Sequence, residues 1–152
     1  MPRRILRAPA RLLRRLARQL GRRGACLLSY GIIWAVIGYG QLISPQIDQR
    51  GLTMVLWIMP LHAWAWCWIG AGAIAAVSAF AKQGFDWAGF FTLPLLAFAW
   101  TLSYLVAWWP MNVFERGWVA AGVYGALAVP VLVVAGWSEP PRRKRLGPPD
   151  GT

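Results

Sequence analysis

Residues 52–81 read LTMVLWIMPLHAWAWCWIGAGAIAAVSAFA, thirty consecutive positions without one formal charge. An uncharged apolar stretch of about 18 or more residues can cross the roughly 30 Å hydrocarbon core of a bilayer as a helix. As one straight helix this stretch would run about 45 Å. That exceeds the bilayer core, so the segment must tilt, kink or begin in the interface. Pro60 supplies the break, because proline lacks the helical amide and disfavours helix in the residue before it. The reading places a membrane span at about 59–81 and leaves 52–58 as an interfacial approach.

Three similar stretches flank it. Residues 25–43 are apolar and stop at Ser44-Pro45. Residues 88–109 contain Pro94, and residues 118–137 contain Pro130. Such prolines are tolerated in membranes, where neighbouring helices and local adjustments satisfy the freed carbonyls. Composition agrees with four spans. The chain of 152 residues is 58% apolar and 14% charged, whereas soluble domains average about 45–50% and about 25%. Between Gly24 and Ser138 the only charges are Asp48, Arg50, Lys82, Asp86, Glu115 and Arg116. A soluble domain could not cover its core with so few. Arg, Gly, Ala and Pro are abundant while Lys and Asn are scarce, the usage of a GC-rich genome.

Residues 3–23, RRILRAPARLLRRLARQLGRR, differ in kind. At 100° per residue, Pro9, Ala10, Leu12, Leu13, Leu16, Ala17 and Leu20 fill one arc. Arg11, Arg14, Arg15 and Arg18 fill the opposite one, joined by Arg7 and Arg22. This is the pattern of a basic amphipathic helix lying in the membrane interface. Pro9 suits its first turn and Gly21 or Gly24 its end. A signal peptide would need a shorter basic region and a small-residue cleavage site, and no A-x-A pattern follows. The expected fold class is therefore all-α: a polytopic membrane protein with four transmembrane helices behind a basic amphipathic helix at 1–24. The bundle occupies 25–138. Residues 139–152, rich in Pro, Gly and charge, read as a disordered basic tail.

Four spans put both ends on one side. That side carries nine Arg before Gly24, Lys82 and the tail's Arg142, Arg143, Lys144 and Arg145; the other carries Arg50 and Arg116. The positive-inside rule makes the first side cytoplasmic, which places the chain in the inner (plasma) membrane as a multi-pass protein. Trp57, Trp108, Trp109 and Trp118 then fall near the outer boundary, and Trp87 and Trp137 near the inner one, where amphipathic indoles settle. The expected partner of the six helix arginines is an anionic inner leaflet, at about 1 kcal/mol per basic residue. Nucleic-acid binding is the less favoured reading of the same runs.

Residues for chemistry are few. His62 is the only histidine, so one copy cannot build a His-based metal cluster. It lies near the outer end of the second span with no acid or base at depth to pair with it. A backbone-bonded neutral imidazole is favoured over proton relay. Cys26 and Cys67 fall in apolar runs, against a disulfide framework or zinc site. No paired carboxylates, serine triad, phosphate loop or HExxH occurs, so no catalytic, cofactor or metal residue and no enzyme activity are expected. In HAWAWCW, 62–68, Trp64 and Trp68 share a helix face with Trp57, and Trp66 points nearly opposite. Aromatic packing and anchoring is the favoured reading of that cluster.

Small residues recur at helical spacing: Gly31, Ala35 and Gly38, then Gly72 and Ala76, then Ala121, Gly125 and Ala128. Such stripes let helix backbones approach closely. They suit packing within one bundle, or association with a second copy or another membrane protein. The two outer loops share an Arg-Gly pair before the next span, Arg50-Gly51 and Arg116-Gly117, which fits either an internal duplication or two short turns that each need a glycine.

The four-span layout, the Arg-rich ends and the stretch RGLTMVLWIMPLHAWAWCWIGAGAIAA, 50–76, resemble small membrane proteins of actinobacterial phages, some of them holin-like. The resemblance implies a possible lysis role by accumulation, oligomerisation and permeabilisation of the inner membrane. It carries no site residues. The expected function is a structural or accessory membrane bundle, with a holin-like pore former as the alternative. A transporter or membrane enzyme is less favoured.

Overall fold

The computed structural model describes residues 7–44, 49–81 and 84–137, with side chains from Leu20 onward. The tail, Lys82, residues 45–48 and the side chains of Arg7, Arg11, Arg14, Arg15 and Arg18 lie outside the described residues. Five α-helices follow one another: α1 Arg7–Ile43, α2 Thr53–Ile58, α3 Leu61–Ser78, α4 Trp87–Trp108 and α5 Gly117–Ala135. A 3-10 turn at Arg50–Leu52 leads into α2. Four helical segments are long and apolar enough to cross a membrane: Leu20–Ile43, Leu61–Ser78, Trp87–Trp108 and Gly117–Ala135. The expected spans are about 25–43, 59–81, 88–109 and 118–137; the first helical segment begins five residues earlier, at Leu20.

Two boundaries differ instructively. The basic N-terminal helix and the first span form one helical run, broken at Gly21 (φ 69°, ψ −177°). That conformation is essentially open to glycine alone, so the change of direction falls at Gly21, the earlier of the two glycines named as possible ends of the basic helix, and ahead of the expected boundary at residue 24. The second departure concerns Trp57. Met59 is extended (φ −159°, ψ 158°) ahead of Pro60, and α2 ends at Ile58. The proline break therefore takes Trp57 off the face shared by Trp64 and Trp68. Trp57 is 92% exposed, whereas Trp68 is fully buried.

α1 and α3 run antiparallel along a seam of small residues. A side-chain carbon on Gly24 would lie 2.6 Å from the Ala79 carbonyl oxygen, one on Gly31 2.7 Å from that of Gly72, and one on Gly38 2.6 Å from that of Ala65. Both rows repeat every seven residues, two helical turns, the spacing that keeps one seam facing a partner helix. In a bilayer, where lipid tails are as apolar as leucine, no hydrophobic force would drive such an association. Close backbone approach supplies dispersion contacts instead, at about 0.1–0.2 kcal/mol per atom pair.

Beyond the seam, aromatic rings fill the centre. Trp34, Trp68 and Trp100, from α1, α3 and α4, are all fully buried. Their ring centroids lie 5.2 Å apart for Trp34–Trp68 and 5.4 Å for Trp68–Trp100. Tyr124 of α5 meets Trp68 and Trp100, and stacks on Tyr104 at 5.7 Å. All four long helices thus contribute to one aromatic column, surrounded by Leu27, Leu93, Ala97 and Val131.

Candidate functional site

The bundle has two distinct ends. At one, the Arg23 side chain ties the start of the first candidate span to the end of α5. Arg23 Nε donates to Asp86 Oδ2 at 2.9 Å, and its Nη1 donates to the carbonyl oxygens of Ala135 at 2.8 Å and Trp137 at 2.7 Å. Its guanidinium carbon sits 4.6 Å from the centre of the Phe90 ring. Asp86 precedes α4 as its N-cap, and its Oδ1 accepts from the Gly84 amide at 3.3 Å. The planar, permanently charged guanidinium suits this place, because it can meet a carboxylate, two carbonyls and a ring face at once. The last carbonyls of α5 carry the negative end of the helix dipole, which favours a cation there. Both charged side chains are largely buried.

This node was hidden in the sequence. Arg23 reads there as one more residue of a basic run, and Asp86 as a loop acid. The available signal was that Asp86 is the sole acid between the second and third spans. Arg22, by contrast, is exposed.

At the opposite end, α2 folds back across the bundle. Leu52 and Val55 are buried beneath it. Trp64 Nε1 donates to the Val55 carbonyl at 2.8 Å, and Ser103 Oγ donates to the Gly51 carbonyl at 3.1 Å. Gly51 abuts the Tyr104 ring, while a side-chain carbon on Gly117 would lie 2.5 Å from the Tyr104 carbonyl oxygen. The glycines of the two Arg-Gly pairs thus meet Tyr104 in different ways. A local need for a small residue accounts for both. Trp57, Trp108, Trp109 and Trp118 are all exposed around this end, and Trp87 and Trp137 around the other.

The small residues singled out from sequence separate into two sets. Gly31, Ala35, Gly38, Gly72 and Ala76 lie together in the α1–α3 seam: a carbon on Gly72 would lie 2.9 Å from the Ala35 amide nitrogen, and one on Gly31 3.1 Å from that of Ala76. Ala121 and Ala128 of α5 are buried. Gly125 has ordinary room, 3.9 Å from Thr101, and Gly122 faces open space. Sequence spacing cannot tell these cases apart, because it does not say how near the facing backbone comes.

His62 is exposed in the first turn of α3. Cys67 is exposed and Cys26 half-buried, both as free thiols. Among the described residues, no three His, Cys, Asp or Glu side chains gather into a metal-binding group. The interior nevertheless holds polar atoms that sequence reading did not single out. Gln41 Oε1 and the indole nitrogens of Trp34, Trp68 and Trp100 are buried without a hydrogen-bond partner among the described residues. The Trp68–Trp100 and Trp64–Trp100 pairs are edge-to-face, at 87° and 77°. In that arrangement the positive ring edge meets the negative face of its neighbour.

Comparison with protein-family models, with curated proteins and with solved structures found no match to this chain.

Proposed function

We propose that the chain is a small multi-pass protein of the bacterial inner membrane that acts as a structural or accessory bundle, through packing and partners and without catalysis. Its basic N-terminal helix lies on the anionic cytoplasmic face, and both termini are cytoplasmic. The observation that carries the reading is the filled interior. Trp34, Trp68 and Trp100 are fully buried and touch in sequence across three helices, so one copy encloses a packed core where a transport path would run.

A holin-like pore former is the second reading. A pore would have to form between copies, since the centre of each bundle is occupied. The favouring observation is α5, the least buried of the four candidate spans, whose exposed face includes Gly122, Val123 and Val129. Controlled expression in a bacterial host separates the two. An accessory bundle leaves growth and membrane potential unchanged at moderate levels. A pore former halts growth abruptly and collapses the potential, which would overturn the first reading in favour of the second.

A further inference from the structure

A recess of about 590 Å³ lies between α2 and the far end of α4, lined by Met54, Leu56, Trp57, Val106 and Met111 together with Gln49 and Thr53. We propose that it is a binding site for one acyl chain of a membrane phospholipid. The inference rests on the reading of the chain as membrane-embedded, and four features support it.

The lining is almost wholly apolar, and the Thr53 hydroxyl is already engaged with the Arg50 carbonyl at 2.7 Å. A polar ligand would therefore find little to bond. The volume falls within the roughly 300–1,000 Å³ of small-molecule sites. The depth is that of an acyl chain just below its headgroup. Trp57 forms part of the lining, and Trp108, Trp109 and Trp118 are exposed at the same end, the pattern that marks the membrane–water boundary. An unfilled apolar recess at that depth would forfeit dispersion contacts along its whole lining, and the molecules at hand to fill it are lipid chains. Finally, the two methionines give an adaptable lining, since unbranched thioethers repack around chains of differing length.

The site exists because Pro60 separates α2 from α3. Leu52 and Val55 anchor the short helix inward, while Met54, Leu56 and Trp57 line the recess. A continuous helix would have carried those side chains away from Val106.

The test uses the full chain in vesicles of phosphatidylcholine and phosphatidylglycerol, doped with a phospholipid bearing a photoactivatable diazirine on its acyl chain. Flotation comes first: failure to float with the vesicles refutes membrane insertion itself, separately from the site. After irradiation, lipid adducts should concentrate on 53–57 and 106–111. Ile74, Val77, Val129 and Val133, which are apolar and also exposed, should carry fewer adducts. Val106→Trp fills the recess and should abolish its adducts while leaving those on α3 and α5 unchanged. If Val106→Trp loses helical content, Met111→Trp on the opposite rim provides the same reading. Uniform labelling of all apolar faces, or adducts insensitive to both substitutions, overturns the proposal. So does cross-linking of two copies through these residues, which would assign the recess to a second chain.

Discussion

Gly31 of α1 and Gly72 of α3 pack backbone against backbone. A side-chain carbon on either would fall 2.7 or 2.5 Å from the other's carbonyl oxygen. Neither position can accept even a methyl group without the helices parting. Gly31→Ala should lower thermal stability in detergent by about 1–3 kcal/mol, the usual cost of overpacking. Gly40→Ala on the same helix and Gly122→Ala on α5 should be near neutral, since both glycines face open space. Gly125→Ile should cost less than Gly31→Ile, because Thr101 is its nearest obstacle and lies 3.9 Å away. Equal losses for Gly31 and Gly40 would contradict the α1–α3 seam.

The Arg23–Asp86 pair joins three segments, so its loss should be felt at both the start of the first span and the end of α5. Removing one partner of a fully buried pair costs about 3–5 kcal/mol; this one retains some solvent contact, and a smaller loss is expected. Asp86→Asn keeps the shape and removes the charge. Arg23→Gln removes the guanidinium and with it the bonds to Ala135 and Trp137. Arg23→Gln should therefore destabilise more than Asp86→Asn. A double-mutant cycle should show coupling between the two, and independent, additive effects would argue against a direct pair.

Trp68 touches Trp34, Trp100 and Tyr124 and is fully buried. Trp68→Ala should cost about 3–5 kcal/mol, as for other large aromatic truncations. Trp68→Phe should cost much less, because it keeps an aromatic ring and removes an indole N–H that has no hydrogen-bond partner among the described residues. Trp66, two residues away, is 61% exposed, and Trp66→Ala should change stability little. Thermal melts followed by circular dichroism would rank the three variants. A Trp66→Ala loss matching that of Trp68→Ala would mean that the exposed face of α3 is covered in the membrane.

The contrast between Trp66 and Trp68 shows what was legible in the sequence. Helical periodicity separates those two indoles correctly, because it depends only on 100° per residue. The same arithmetic puts Trp57 on one face with Trp64 and Trp68 and fails, because Pro60 resets the helix axis between them. Span positions follow from apolar run length, and the small-residue repeat is visible in the letters. Which repeat meets a backbone depends on the partner helix, so Gly31 and Gly125 look alike until α3 and Thr101 are in place. Arg23 lies among nine similar basic residues, and only the arrival of Asp86 and the α5 carboxyl end distinguishes it from Arg22.

The N-terminal segment should bind membranes by charge. A peptide of residues 1–23 should gain helix on vesicles containing anionic lipid, and bind less as salt rises, since screening shortens the range of its arginines. Gly21 sits where the helical run changes direction. Gly21→Ala should disfavour the break, because φ > 0 is costly for alanine, and should reduce surface binding of the first helix in the full chain. Equal binding to neutral and anionic vesicles would remove the electrostatic component.

A topology with both termini on the cytoplasmic side is expected from the helices and the charges together. Arg23 bonds to Ala135 and Trp137, so the start of the first span and the end of the fourth lie at the same end of the bundle. Nine of the sixteen basic residues precede Gly24. Carrying nine charges outward against a 100 mV potential would cost roughly 20 kcal/mol, at about 2.3 kcal/mol each. The same arithmetic would barely oppose translocation of the loops that carry Arg50 and Arg116, where Arg116 adjoins Glu115. Single cysteines introduced into a Cys26→Ala, Cys67→Ala background should report this directly. In intact cells an impermeant maleimide should label Asn112→Cys, which lies in the exposed turn between α4 and α5. It should reach Gln83→Cys and Pro148→Cys only after permeabilisation. Labelling of Pro148→Cys in intact cells would place the basic tail outside, and the charge bias would then not govern this chain.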